Sequence, residues 1–314
     1  MQVLYFLQSL RNPVTDAFFS LITYFGDEVL FIAVALLFLW CINKEEGYYI
    51  LTMGFAGTLF NQFLKITCRV PRPWVKDPNF QIVESAKEAA TGYSFPSGHT
   101  QTSVTTYGGL ALWNRKRWVR IVCIAMCVLV PFSRLYLGVH TPADVLVSVA
   151  IALALVFGLR PFFGKIKEKP ALMYGMLAVL FLLSLAFVLY MNLYPFPADI
   201  DTHNYESAVK NAYLLLGALP GLAITYFLDN RVHKYDPKAP LLAQVLKLGL
   251  GLGLVLALKA VLKAPFRQLF DGYAGDILRY FLLIVAAGGL WPFTFPYFTR
   301  FALWVKGKLH KDKE

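Results

Sequence analysis

The stretch SRLYLGVHTPADVLVSVAIALALVFGLR, residues 133–160, decides how the chain is read. Its second half is an uncharged apolar run, and with its flanks it approaches the ~20 apolar residues that span a hydrocarbon core. Thr141 and Pro142 read as the N-cap and first position of that helix. Asp144 then falls in the first turn, where a negative charge suits the helix dipole. His140 stands just before the helix, so Asp144 can turn back and bond one imidazole nitrogen. That fixes the tautomer and leaves the other nitrogen free to attack phosphorus. For this pair alone, a plain structural His–Asp bond is the competing reading.

Outward from this stretch the same pattern recurs twice. Pro96-Ser97-Gly98-His99 directly precedes another apolar run and reads as a helix start. Ser97 can cap it, Gly98 lets the backbone approach a ligand closely, and free amides at a helix N-terminus bind anions. His99 stands at the mouth, placed to protonate a leaving oxygen. Upstream, Lys65 and Arg72 lie two helical turns apart, so both are expected on one helical face, with Pro71 and Pro73 ending the helix. Cations facing one way in an apolar segment need an anion or a polar cavity; snorkelling to the interface is the alternative. With Arg134, three cations are offered to a phosphoryl group whose transition state spreads negative charge over its oxygens. No carboxylate cluster suited to magnesium occurs among these motifs, so no metal and no cofactor is expected.

Composition sets the frame. Of 314 residues, 57% are hydrophobic and only 16% charged, against about a quarter charged in a soluble domain. The formal net charge of +11 is read as cytoplasmic-loop bias and anionic lipid contact, not as a nucleic-acid surface. The first ten residues lack a basic start and a small-residue cleavage site, so the first span is expected to act as an uncleaved insertion signal. Cys41, Cys68, Cys123 and Cys127 sit in or beside apolar segments and are assigned to packing.

Nine spans are expected, at about 27–43, 47–68, 97–114, 118–136, 142–160, 171–192, 209–229, 240–262 and 276–304, with residues 1–24 as an interfacial helix pair. Lysine and arginine gather at Lys44, Arg115–Arg120, Arg160–Lys169, Arg231–Lys238 and a tail with Lys306, Lys308, Lys311 and Lys313. The positive-inside rule places these in the cytoplasm and all three motifs on the extracytoplasmic side. The polar connections 69–96 and 193–208 would lie outside. Asp199, Asp201, His203 and Glu206 in the second are read as a solvated loop in preference to a metal site.

The combined motifs resemble the type 2 phosphatidic acid phosphatase superfamily of membrane lipid phosphatases, whose core is related to the vanadium haloperoxidases. The family pattern is a lysine six residues before Arg-Pro, then Pro-Ser-Gly-His, then Ser-Arg, five residues, His, three residues, Asp. Here it is met by Lys65 with Arg72-Pro73, by Pro96–His99, and by Ser133-Arg134 with His140 and Asp144, all within about residues 1–165. The resemblance implies an all-α polytopic bundle, with a six-helix phosphatase core and about three further C-terminal transmembrane helices. Residues 1–170 would form the core, and 171–314 the extension that includes the sixth core helix. It implies His140 as the nucleophile forming a phosphohistidine, Asp144 as its partner and His99 as general acid. Lys65, Arg72, Ser97, Gly98 and Arg134 would bind phosphate. The expected substrate is a lipid phosphate or diphosphate: undecaprenyl diphosphate, phosphatidic acid, phosphatidylglycerol phosphate or a sphingoid-base phosphate. The extra spans are weakly similar to those of long-chain-base phosphate phosphatases. The expected setting is a bacterial cytoplasmic membrane, with membrane lipids and, left open, a second copy of the chain as partners. A lipid phosphotransferase, or a transporter or flippase using Lys247, Lys259 and Arg279, are the alternatives.

Overall fold

The computed structural model describes residues 1–88, 90–270 and 272–311, and among them it contains helices and no strand. In chain order the helices are α1 (Gln2–Ser9), α2 (Pro13–Thr23), α3 (Glu28–Leu37), α4 (Lys44–Cys68), α5 (Pro73–Lys76), α6 (Gly98–Trp113) and α7 (Arg117–Tyr136). There follow α8 (Pro142–Phe163), α9 (Ala171–Leu193), α10 (Thr202–Leu228), α11 (Leu241–Val261), α12 (Lys263–Leu269), α13 (Ala274–Ile284) and α14 (Phe295–Lys311). Lys313, counted above with the basic tail, lies outside the described residues.

Six helical segments are long and apolar enough to cross a membrane: Arg117–Tyr136, Pro142–Phe163, Ala171–Leu193, Thr202–His233, Leu241–Phe266 and Ala274–Lys308. Pro13–Gly26 and Glu28–Ile42, bent by 51°, make a seventh if counted as one span. This is fewer than the nine expected. The stretches 47–68 and 97–114 do form helices, α4 and α6, but neither meets the length and apolarity of a lipid-facing span. The reason is visible in α6, where Thr100, Gln101, Ser103, Thr105 and Thr106 are buried against protein. A helix surrounded by other helices does not need an apolar surface. By contrast, α7 presents Trp118, Ile121, Val122 and Val128 outward, as lipid contact requires.

Packing divides the chain into two compact units. The first comprises Met1–Ile32, Tyr49–Lys165 and Ala186–Ala212. At its centre α6 packs along α7 and α8. Gly109 permits a close approach, since a β-carbon there would come within 2.8 Å of Met53 Cε. Asn12 caps α2 reciprocally with Thr15, and Pro13 takes the first helical position, where its missing N–H costs nothing. Helix α2 lies on α7, with Phe19 and Tyr136 rings 4.3 Å apart. The units interleave along the chain, because packing follows helix faces and not chain order. Phe187 and Tyr190 of α9 set their rings 6.0 and 5.4 Å from Phe63, within the first unit.

The second unit comprises Ala33–Tyr48, Ile166–Leu185 and the described residues from Tyr213 onward. Here α11 packs on α14, and buried Trp40 meets Phe295 edge-on at 6.3 Å. Its buried charges are partnered locally. Lys44 pairs with Asp229 at 2.6 Å and Arg279 with Asp276 at 2.7 Å. Lys247 lies 4.8 Å over the Phe295 ring and donates to the Pro237 carbonyl at 3.4 Å.

Arg11 closes the C-terminal end of α7 in the first unit. Its Nε and Nη2 donate to the Tyr136 carbonyl at 3.0 and 2.8 Å, and Nη1 donates to the Gln81 carbonyl at 2.6 Å. Charge-assisted bonds of this kind contribute about 1.5–3 kcal/mol. Arg11→Ala should therefore lower the melting temperature in detergent by several degrees, followed by tryptophan fluorescence. An unchanged melting temperature would show that this cap is dispensable.

Candidate active site

The site begins with the cap of α8. Thr141 Oγ1 accepts the Asp144 amide at 3.4 Å, and Asp144 Oδ2 accepts the Thr141 amide at 2.7 Å. This reciprocal box fixes a fully buried carboxylate in the first helical turn. His140, one residue before the cap and 2% exposed, places Nδ1 3.5 Å from Asp144 Oδ2. That is ion-pair distance and longer than a hydrogen bond. The same oxygen already accepts Ser94 Oγ at 2.5 Å.

On its other side the imidazole meets Arg72, whose Nη1 lies 2.9 Å from His140 Nε2. A guanidinium only donates, so Nε2 accepts, and the ring proton belongs on Nδ1 facing Asp144. Arg72 is pinned by backbone carbonyls: Nε to Gly92 at 3.1 Å, Nη2 to Thr91 at 2.7 Å and Nη1 to Val139 at 2.9 Å. This differs from the expected shared helical face with Lys65. Helix α4 ends at Cys68, Arg69 turns into the left-handed region at φ 48°, and Arg72 returns from the loop as the residue before α5. Lys65, in the last turn of α4 and 4% exposed, donates to the Tyr93 carbonyl.

Arg134, in the last turn of α7, has no exposed surface. Its Nη1 donates to Thr23 Oγ1 at 2.6 Å, while Nε and Nη2 are buried with no protein partner. At the start of α6, Ser97 Oγ accepts the Thr100 amide at 3.4 Å, the cap read from sequence. The Ser97 amide is spent on the Asp144 carbonyl at 3.2 Å, which stitches the two helix starts together. The amides of Gly98 and His99 remain without intrahelical partners. Gly98 borders open space, the nearest atom to an added β-carbon being Asn61 Oδ1 at 3.9 Å. His99 is held against Gly26, where a β-carbon would sit 2.7 Å from the His99 carbonyl.

All eight residues singled out in the sequence thus lie in the first unit. Lys65, Arg72, Arg134 and His99 are close enough to act electrostatically on His140. Three buried cations share one buried carboxylate, Asp144, so the site carries an excess of positive charge suited to an anion. Burial, reinforced by Arg72, Arg134, Lys65 and His99, holds the His140 imidazole well below its ordinary pKa. Burial lowers Arg72 to about 10, with Asp144 opposing, so it stays charged at neutral pH. Ser94, Thr23 and Asn61 were not singled out from the sequence. Ser94 lies just before the Pro96–His99 motif but outside it, Thr23 and Asn61 lie in no motif, and only the fold brings all three in.

Comparison with known proteins places these residues in a family. Residues 45–168 match the PAP2 superfamily model, and residues 213–302 match the transmembrane extension of PAP2 superfamily phosphatases. A protein of Dictyostelium discoideum named "Probable sphingosine-1-phosphate phosphatase" is 28% identical over 77% of this chain and 59% of its own length. The undecaprenyl-diphosphatase BcrC of Bacillus subtilis is 29% identical over 47% of this chain and 74% of its own. Phosphatidylglycerophosphatase B of the same organism is 30% identical over 39% and 61%, respectively. The chain therefore spans about three fifths of the Dictyostelium relative. No solved structure matches it.

The Ser94–Asp144 bond gives a test that needs no substrate. In the protein with labelled histidine, NMR should show His140 titrating below 6.5, its ordinary value. Ser94→Ala frees Asp144 Oδ2 to favour the imidazolium, so the His140 pKa should rise. No change would mean that Ser94 does not govern how Asp144 meets His140.

Proposed function

We propose that this chain, which belongs to the PAP2 superfamily, removes a terminal phosphate from a membrane lipid through a phosphohistidine on His140. The observation that carries the reading is a neutral imidazole whose Nε2 is the accepting nitrogen, set among three buried cations. Arg134 adds two buried donors with no partner in the protein.

In this mechanism the phosphoryl group lies among Lys65, Arg72 and Arg134 and the amides of Gly98 and His99. Arg72 Nη1 transfers its bond from Nε2 to a phosphate oxygen, which exposes the nitrogen lone pair. Nε2 attacks phosphorus, the bond from phosphorus to the lipid oxygen breaks, and His99, protonated once the bound phosphate offsets the surrounding cations, gives that oxygen its proton. Asp144 stabilises the imidazolium that forms. Water then attacks phosphorus, the N–P bond breaks, and inorganic phosphate leaves while His99 and His140 return to their starting states. The cations neutralise the charge that develops on the equatorial oxygens, the task a metal ion performs elsewhere.

The substrates named for the relatives, sphingosine 1-phosphate, undecaprenyl diphosphate and phosphatidylglycerophosphate, share a terminal phosphate on a lipid. The site described grips only that group. Chain selectivity is assigned to the apolar helices and to the extension, residues 171–314, which carries none of the motif residues. The positive-inside pattern puts the site on the extracytoplasmic face.

His140→Ala should abolish phosphate release from a lipid-phosphate panel without lowering the melting temperature, and Asp144→Asn should reduce kcat at least about a hundredfold. Wild-type activity should survive EDTA and be inhibited by vanadate, which mimics pentacoordinate phosphorus. Near-normal turnover by the His140 variant, or a strict magnesium requirement, would overturn the mechanism.

Orientation is tested separately. Ser85 is exposed in the loop before α6. Ser85→Cys, with the native cysteines replaced, should react with an impermeant maleimide on intact cells. Reaction only after lysis would invert the topology.

A further inference from the structure

Within the second unit, the chain between Pro170 and Phe181 faces the C-terminal half of α10 and the turn after it across a two-part crevice. One part is a cavity of about 450 Å³ lined by Pro170, Tyr174, Phe227, Asn230, Arg231 and Lys234. The other is a groove of about 210 Å³ whose walls are Leu177, Phe181, Leu219 and Pro220, with Ala178 and Ala223. Tyr174 lines both, so a basic chamber continues into a wholly apolar one. None of the catalytic residues belongs to this unit.

The charge of the chamber is uncompensated. Its lining includes two cations and no acid. Asp229, two residues before Arg231, is already paired with Lys44 at 2.6 Å. Neither Arg231 nor Lys234 forms an ion pair among the described residues. The backbone also holds Lys234 in an unusual place. It takes φ 42°, a left-handed conformation that a lysine seldom adopts, closing the turn Asp229–His233 through its amide to the Asp229 carbonyl at 3.0 Å. Tyr174 sets its ring edge-on to Tyr226 at 5.3 Å, an amphipathic residue fixed where the polar and apolar parts meet.

A polar cationic head joined to an apolar slot is the shape and chemistry of one phospholipid. We propose that this crevice holds an anionic glycerophospholipid of the surrounding bilayer, its phosphate at Arg231 and Lys234 and an acyl chain along Leu177, Phe181 and Leu219. A zwitterionic lipid fits the groove equally but leaves the net positive charge of the chamber unmatched; charge complementarity selects the anionic one. The lipid here is a resident, not a substrate, and the assignment stands whether or not the chain is a phosphatase.

The test uses the full chain purified in detergent and delipidated. Palmitoyl-oleoyl phosphatidylglycerol serves as probe because it has no terminal phosphate to lose, and the phosphatidylcholine with the same chains serves as comparison. Native mass spectrometry should show one phosphatidylglycerol retained in preference to phosphatidylcholine, and melting temperature should rise with phosphatidylglycerol alone. The double substitution Arg231→Gln, Lys234→Gln should weaken phosphatidylglycerol binding about tenfold or more, with phosphatidylcholine binding unchanged. Ala178→Trp, which fills the apolar groove, should displace the lipid while leaving both cations in place. Equal retention of the two lipids by the wild type would overturn the proposal. So would undiminished phosphatidylglycerol binding in either variant, with folding verified by melting curves.

Discussion

Asp144 is anchored before it meets His140. Its Oδ2 takes the Thr141 amide and the Ser94 hydroxyl, and its carbonyl accepts the Ser97 amide and, at 2.7 Å, Ser148 Oγ. These bonds join the start of α8, the loop before α6 and the start of α6 around one buried negative charge. That charge is also what makes the neighbouring cations tolerable. Each ion taken out of water costs several kcal/mol after relaxation, and Lys65, Arg72 and Arg134 are all nearly or fully buried. The backbone carbonyls of Thr91, Gly92, Tyr93 and Val139 meet part of that cost by accepting from Arg72 and Lys65. The polar interior of the first unit is thus a compromise in which carbonyl dipoles and one carboxylate hold more positive charge than they cancel.

What the sequence made legible is local. Ser97 and Thr141 are caps as read, and Asp144 sits in the first turn of α8, because side chain and backbone partner are there only three residues of chain apart. Lys65 and Arg72 were misplaced on one face because helical spacing assumes that the helix continues, whereas Arg69 ends the turn with a positive φ. The spans at 47–68 and 97–114 rested on apolarity; α6 carries a row of buried hydroxyl and amide side chains, and α4 mixes Ile50, Leu51, Met53 and Leu59 with Thr52, Asn61 and Lys65. Apolarity alone does not distinguish a lipid-facing helix from one packed on every side by protein. Ser94 and Thr23 were invisible for a third reason. Their partners are 50 and 111 residues away in sequence, and only tertiary contact gives them a role.

The second unit treats buried charge differently. Two acids hold their cations directly, Asp229 with Lys44 (and accepting Tyr48 Oη at 3.3 Å) and Asp276 with Arg279, while buried Lys247 rests on the Phe295 ring. A matched pair inside an apolar body holds position without attracting an outside anion. Where that matching lapses, at Arg231 and Lys234, the two side chains are solvent-exposed and line the mouth of the crevice described above.

Thr23 and Arg11 lie outside the stretch that matches the PAP2 superfamily, which begins at residue 45. Yet Thr23 orients the most deeply buried arginine of the site, and Arg11 fastens the end of the helix that carries it. A transplant cut at the family boundary, joining residues 45–168 to another scaffold, would carry every motif residue and lose the supports that aim them. The stretch that matches the family model and the stretch that holds the site in place are different lengths of the same chain. Chimaeras with relatives of the family would have to exchange the opening helices together with the motifs, or keep both from one parent.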